Sequence, residues 1–412
     1  MSVYMYGTDR NVYVTFQNKK MKNLIIITLL SIICLSIGCK ELTIEPTQAC
    51  QIPAVDSSAI HPRLMDFQLL LDEYTAKGLP GISVLVNDDS GAFTVTSGYA
   101  DMDKDIEMLP CHVSKMASVT KMYIGALAMR LVEEGAFELD DPLTDWLSSD
   151  VIGKVANAEQ STIRQCLNHT TGVMDLITVN SFYLQILNNP ARFWEPEDLL
   201  KFTYNKDALF PVGTDVRYSN TNLLLAAMVM EAATGRPHED LLKQYIIDPL
   251  QLTNTYYHWH DDLPDNTAQG YLDLYNNGTV LNLSEYNTGS GNGYGGLYSD
   301  VYDMQVFTEA LFKHQTLLQP ATLDTMLTFV GMEEEKNRSI GITVMKDLLE
   351  RAPDEFAYGH RGRDLAYTSD AYYFPNQNIT LVYLVNYGTN SDTPIRDVFE
   401  EFRIELIDEV LE

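Results

Sequence analysis

Apolar positions along the chain fall into two rhythms, one of helical period and one of runs and alternation. From His61 to Ala76 they recur at helical spacing (Leu64, Phe67, Leu70, Leu71, Tyr74), and Gly78-Leu79-Pro80-Gly81 breaks the pattern. Ile82–Val86 and Phe93–Thr96 are β-rich runs joined by Asn87-Asp88-Asp89-Ser90-Gly91, which predicts a hairpin. A long apolar stretch follows, Val119 to Val132, stopped by Gly135, and predicts a helix with Ser118 in its first turn. Residues 136–330 read as helix and loop. A helical region starts at Asp140–Trp146, Ile163–Leu167 leads into His169-Thr170-Thr171-Gly172, Leu223–Ala233 is a clear helix ended by Gly235, and Gly289–Gly296 is an irregular glycine-rich loop. The β signal returns at Ile340–Val344, Ala366–Phe374 and Ile379–Val385, and Phe399–Leu411 is a closing helix.

Strands at both ends and helices between them predict an α/β (α+β) fold. One antiparallel sheet, flanked by helices, is assembled from residues 59–135 and 331–412, with a mostly helical insert at 136–330.

The N-terminal region has a different character. Lys19, Lys20 and Lys22 precede an apolar run, Leu24 to Ile37, that is too short for a comfortable membrane span. Ser36-Ile37-Gly38-Cys39 closes the run in the manner of a bacterial lipoprotein signal, with Cys39 the expected lipid anchor. Residues 1–38 are expected to be an upstream extension and signal peptide, with Met21 as the start, and are excluded from the fold. Polar residues 39–58, with Pro46 and Pro53, are expected to tether the domain, residues 59–412, to a membrane. The expected location is the bacterial cell envelope, periplasmic or surface-exposed.

Charge narrows the partners. The chain of 412 residues carries a formal net charge of −29, which repels phosphate backbones and anionic lipid. No nucleic-acid partner is therefore expected, and membrane attachment rests on Cys39. Beyond the signal, Cys50, Cys111 and Cys166 allow one disulfide whose pairing stays open.

Three segments carry candidate chemistry. Ser118 and Lys121 are three apart and share a helical face. A serine hydroxyl needs an adjacent base, and an amine whose pKa is lowered by burial and nearby positive charge can be that base. A helix N-terminus adds N–H groups and a positive dipole end for an oxyanion. Tyr218 and Asn220, two apart in an extended loop, can face one side, a phenol for proton relay and a carboxamide for a substrate amide. Gly359-His360-Arg361-Gly362 lies just before the run Ala366–Phe374, where a strand edge can lend a second oxyanion N–H.

In type and order these segments resemble the serine β-lactamase and penicillin-binding protein superfamily, most of all its branch of class C β-lactamases, D-Ala-D-Ala carboxypeptidases and esterases. The resemblance spans about Leu79 to Asn386 and includes Gly98-Tyr99-Ala100-Asp101, Leu131-Val132-Glu133-Glu134-Gly135, Leu167-Asn168-His169-Thr170-Thr171-Gly172 and Gly295-Gly296-Leu297-Tyr298-Ser299. It implies a β-lactamase/transpeptidase-like fold and an exported serine hydrolase that forms an acyl-enzyme on Ser118. Lys121 and Tyr218 would shuttle its proton, Asn220 would orient the substrate, and the N–H groups of Ser118 and Arg363 would bind the oxyanion. His360, Arg361 and Gly362 would contact substrate, with His360 where many relatives carry lysine. Implied substrates are a D-amino-acid peptide, an ester or a β-lactam, small or peptidoglycan-derived. The alternative is a slow peptidoglycan or β-lactam sensor of the same fold. No cofactor or metal is expected.

The chain departs from that branch at Leu365-Ala366, where relatives carry Pro-Gly, and at the bulky Arg361 and Arg363. This weighs toward peptidase or esterase work over β-lactam hydrolysis, and the two arginines are candidates for holding a substrate carboxylate. His258-Trp259-His260 reads as structural, and His169 as a loop anchor. Neither His-Glu-x-x-His nor Gly-x-Ser-x-Gly occurs.

Overall fold

The computed structural model describes residues 44–52, 61–333 and 338–412. The signal, Cys39 and most of the proposed tether lie outside these residues. No helix among the described residues is long and apolar enough to cross a membrane.

The main antiparallel sheet has nine strands among the described residues. In chain order they are β1 (Gly81–Asp88), β2 (Gly91–Asp101), β3 (Ile106–Glu107), β4 (Met332–Glu333), β5 (Arg338–Ile340), β6 (Met345–Asp347), β7 (Ala357–Arg363), β8 (Thr368–Phe374) and β9 (Ile379–Val385). In space the order is β3-β2-β1-β9-β8-β7-β6-β5-β4, so β1 pairs with β9 and the two ends of the chain share one sheet. Every residue of β9 is buried, as is the Gly81–Val86 part of β1, which is why they read as continuous apolar runs rather than alternations.

Helices α1 (Leu64–Ala76) and α4 (Pro394–Leu411) pack together, with the Tyr74 and Phe402 rings 5.4 Å apart. Phe402 also meets Tyr383 of β9 at 6.0 Å, so α4 lies over one face of the sheet. Helix α2 (Thr120–Glu133) and the 3₁₀ turn before it belong to the other side. Period-two alternation shows this on β8: Ser369 donates to the carbonyl of Met116, and its neighbour Asp370 meets Arg403 of α4. Helix α3 (Asn220–Thr234) anchors the helical part and ends at Gly235 in the left-handed region, φ 67°.

Three local expectations change. Ile340–Val344 is not a strand. β5 and β6 flank a buried turn at 341–344, with Thr343 at φ 54° and the Ile342 N–H on Met326 O at 2.9 Å. That turn sits on α2 at Gly125, where a Cβ would stand 1.7 Å from Thr343 Oγ1. Residues 44–52 are not a free tether either. Ile44 and Thr47 are buried, Thr47 Oγ1 donates to Thr267 O, and a disulfide joins Cys50 to Cys111, leaving Cys166 buried and free. Finally, Gly359–Gly362 is not a turn ahead of a strand but part of β7, paired on both sides.

Candidate active site

The nucleophile turn is built by backbone strain and close packing. Ala117 is held at φ 48°, a conformation costing an L-residue about 1–2 kcal/mol, and it is buried. Met116 on its N-terminal side is fixed twice: its N–H donates to Leu297 O at 2.9 Å, and its carbonyl accepts from Ser369 Oγ at 2.7 Å. Gly362 makes the approach of β7 possible, because a Cβ there would meet Met116 O at 2.3 Å and Ser369 Oγ at 2.2 Å. Ser118 follows in the 3₁₀ turn Ala117–Val119, immediately before α2.

Lys121 Nζ lies 2.9 Å from Ser118 Oγ and also donates to Tyr294 O in the glycine-rich loop, at 2.5 Å. The side chain is fully buried, and burial pulls its pKa down to about 7, assisted by Arg338 and opposed by the carboxylates of Asp175 and Asp364. The Tyr218 ring is the third neighbour, its centroid 5.1 Å from Lys121 Nζ. It stacks on His169 at 4.5 Å, and His169 Nδ1 accepts from the Ser219 N–H at 3.2 Å, so His169 anchors the Tyr218 loop.

Asn220 begins α3 with its Nδ2 on both oxygens of Asp175, at 3.1 and 3.3 Å, and its N–H on the same carboxylate at 3.1 Å. The carboxamide nitrogen thus faces Asp175. Asp175 is buried, and burial raises its pKa to about 6 against the hydrogen bonds it accepts. Ser118, Tyr218, Asn220, Asp175 and Tyr294 line one cleft of about 480 Å³, a size suited to a small substrate.

The β7 residues divide by face. His360 is buried behind the site and is not among the residues lining the cleft. Its ring meets Tyr218 at 5.9 Å, and burial first, then the charge of Lys121, hold its pKa well below the usual histidine value. It therefore packs behind the phenol, whereas the sequence placed it as a substrate contact lining the cleft. Gly362 is likewise a spacer rather than a contact.

Arg361 and Arg363 reach the cleft wall, but their guanidinium groups are engaged. Arg361 Nε and Nη2 each lie 2.6 Å from the two oxygens of Asp347. Arg363 Nη1 pairs with Asp370 at 2.5 Å and with the Ser369 carbonyl at 2.9 Å. Arg403 joins both carboxylates from α4. Burial opposes charge on Asp347 and Asp370, but the surrounding arginines outweigh it and hold both pKa values low. Carboxylate capture by these two arginines is thereby corrected, because each already binds a buried aspartate.

Two further groups brace the surroundings: Lys115, which sequence did not single out, and His260, read from sequence as structural. Lys115 is buried and pairs with Asp364 at 2.5 Å, which also accepts from Thr288 Oγ1 at 2.8 Å. His260 ties the glycine-rich loop down, between Glu239 at 3.0 Å and Gly291 O at 2.9 Å. With His238 these form a close His/Glu group, but the ring nitrogens of both histidines already face Glu231, Tyr257, Glu239 and Gly291.

A serine beside a buried amine, in a cleft between an antiparallel sheet and a helical part, defines a serine hydrolase of the β-lactamase/transpeptidase fold. The Beta-lactamase family model matches residues 67–401, and the chain belongs to that family. Among solved structures it is similar to a D-stereospecific amidohydrolase from Streptomyces sp., with 28% identity, TM-score 0.71, and coverage of 81% of this chain and 96% of that one. D-amino acid amidase from Ochrobactrum anthropi SV3 shares the fold at 24% identity and TM-score 0.70, covering 84% and 98%. So does a penicillin binding protein from Bacillus halodurans, at 22% identity and TM-score 0.69, covering 82% and 98%. Among curated proteins, Protein flp of Staphylococcus aureus is 24% identical over 51% of this chain, a match spanning 41% of that protein's length.

Proposed function

We propose that the protein is an exported acyl-enzyme hydrolase acting on amides of D-amino acids, or on short D-peptides and esters, in preference to β-lactams. The observation that carries the reading is the 2.9 Å separation of Lys121 Nζ and Ser118 Oγ, with the amine's pKa at about 7. A neutral Lys121 takes the Ser118 proton as Oγ attacks the acyl carbonyl. The N–H groups of Ser118 and Arg363 receive the oxyanion. Collapse expels the amine, protonated through Lys121 and Tyr218, and leaves the acyl group as an ester on Ser118. Asn220, with its carboxamide nitrogen on Asp175, offers its carbonyl oxygen to a substrate N–H. Water then attacks the ester, and the acid leaves.

The D-amino-acid preference is supported by the two amidohydrolase neighbours. Leu365-Ala366 and the bulky β7 arginines argue against efficient β-lactam turnover. Export is supported by the Cys50–Cys111 disulfide, since such bonds persist in oxidising compartments. Attachment through a lipid on Cys39 goes with that location.

The test is turnover. Purified protein should release ammonia from a panel of D-amino acid amides faster than from the L-forms or than it opens a penicillin, and Ser118→Ala should abolish the activity. Equal turnover by Ser118→Ala would overturn the reading.

A further inference from the structure

The glycine-rich loop whose Tyr294 carbonyl receives Lys121 is itself held by aromatic side chains. His260 Nε2 lies 2.9 Å from Gly291 O, and Tyr257 Oη accepts from the Gly293 N–H at 2.8 Å. His238, buried at the start of the short helix His238–Leu242, stands next to both. Its Nε2 is 3.1 Å from Tyr257 Oη, and its ring centroid is 5.8 Å from that of His260.

The other nitrogens of these two rings converge on carboxylates. His260 Nδ1 lies 3.0 Å from Glu239 Oε1. His238 Nδ1 lies 3.5 Å from Glu239 Oε2 and 2.6 Å from Glu231 Oε1 of α3. A backbone carbonyl such as Gly291 O can only accept, so His260 Nε2 carries a hydrogen, and the neutral ring turns a lone pair toward Glu239. A lone pair facing a carboxylate needs positive charge between them, from a proton or a metal ion.

The geometry suits the ion. One ligand atom from each of His238, Glu239 and His260 lies within 4.8 Å of the others. Their separations of 3.0 and 3.5 Å from Glu239 straddle the spacing of about 3.4 Å that a tetrahedral zinc sets between ligands about 2.1 Å away. An ion between the rings serves both nitrogens, where one proton serves one. A second ring N–H on a backbone carbonyl, as at Gly291, is also how metal sites orient a ligating histidine. His260 borders solvent, which leaves an ion a way in.

We propose that His238, Glu239 and His260, with Glu231 as the fourth ligand, form a structural zinc site that pins the glycine-rich loop. Two imidazoles and two carboxylates are ligand types that zinc takes. The ion takes no part in acyl transfer. It fixes the loop that carries Gly291, Gly293 and Tyr294.

The test strips the full chain, made without an affinity tag, with a chelator and titrates zinc chloride back against a fluorescent zinc chelator. One equivalent should bind with sub-micromolar affinity. Cobalt in its place should show the visible bands of a tetrahedral ion. Glu239→Gln and His260→Gln should each weaken zinc binding by more than about tenfold, and zinc should raise the melting temperature of wild type but not of either variant. Where a variant does not fold, the cobalt spectrum of wild type decides. No stoichiometric binding, an octahedral cobalt spectrum, or zinc held equally well by folded variants would overturn the site and leave histidine–glutamate salt bridges alone. Amide hydrogen exchange at residues 289–296 should quicken on chelation, and equal exchange with and without zinc would overturn the pinning role. Every readout is independent of turnover, so failure here and failure of the hydrolase reading are separate results.

Discussion

Lys121 Nζ stands 2.9 Å from Ser118 Oγ while the same nitrogen donates to the carbonyl of Tyr294. The backbone contact fixes where the amine sits, and full burial fixes its charge. A lysine on the surface at the same spacing would stay protonated and could not accept a proton from the serine.

The acylation rate should therefore rise through pH about 7, as Lys121 loses its proton. A stopped-flow pH profile with a chromogenic ester reads this limb. A flat profile between pH 5 and 9 would count against Lys121 as the base.

Lys121→Met should separate activity from stability. Acylation should fall by about 10²–10⁴-fold, while the fold gains. The sign follows from the depressed pKa: the unfolded chain binds the proton more tightly than the folded one between pH about 7 and the ordinary lysine value of 10.5. Wild type thus carries the full penalty of a buried charge below pH 7 and sheds it as pH rises. The melting temperature of Lys121→Met should exceed that of wild type at pH 6, with the gap closing toward pH 10. A constant gap would contradict the assigned shift.

Gly362→Ala should damage both fold and site. The new methyl would press on Met116 O and Ser369 Oγ at 2.3 and 2.2 Å. The expected cost is about 1–3 kcal/mol, read by urea denaturation, with loss of Ser118 labelling beyond what unfolding explains. Adding Ser369→Ala should recover only part of it, since the Met116 backbone remains in the way.

Asp175→Ala should leave three donors from Asn220 and Ile177 short of an acceptor, at about 1–3 kcal/mol in stability. In kinetics it should raise KM for amides more than for esters, which lack the N–H that Asn220 orients. Equal effects on both would remove Asp175 from substrate positioning.

What the chain showed in sequence was whatever rests on short spacing. Ser118 and Lys121 meet because they are one helical turn apart, and the sheet from both ends was legible in the runs at Ile82–Val86 and Ile379–Val385. What it hid depends on distant partners. Nothing near Arg361 or Arg363 announces Asp347 and Asp370, which arrive from β6 and β8 and turn candidate ligand groups into internal ion pairs. His360 looked like a substrate contact because its face on β7 was unknown until the strand had neighbours on both sides. Asp175 lies three residues past the His169–Gly172 segment, and a lone acid in a polar loop carries no signal until burial shows it. The run Ile340–Val344 misled because an apolar stretch of five suits a buried turn as well as a strand, and only the missing side chain at Gly125 hinted that something packs there.

The central claim is that Ser118 is an activated nucleophile. It is tested most directly by reacting the purified protein with a fluorophosphonate and with a fluorescent penicillin, then locating the adduct by mass spectrometry. The expected result is a single adduct on Ser118, lost in Ser118→Ala and slowed at least about a hundredfold in Lys121→Met. An adduct on another residue, or labelling that survives Ser118→Ala, would contradict it.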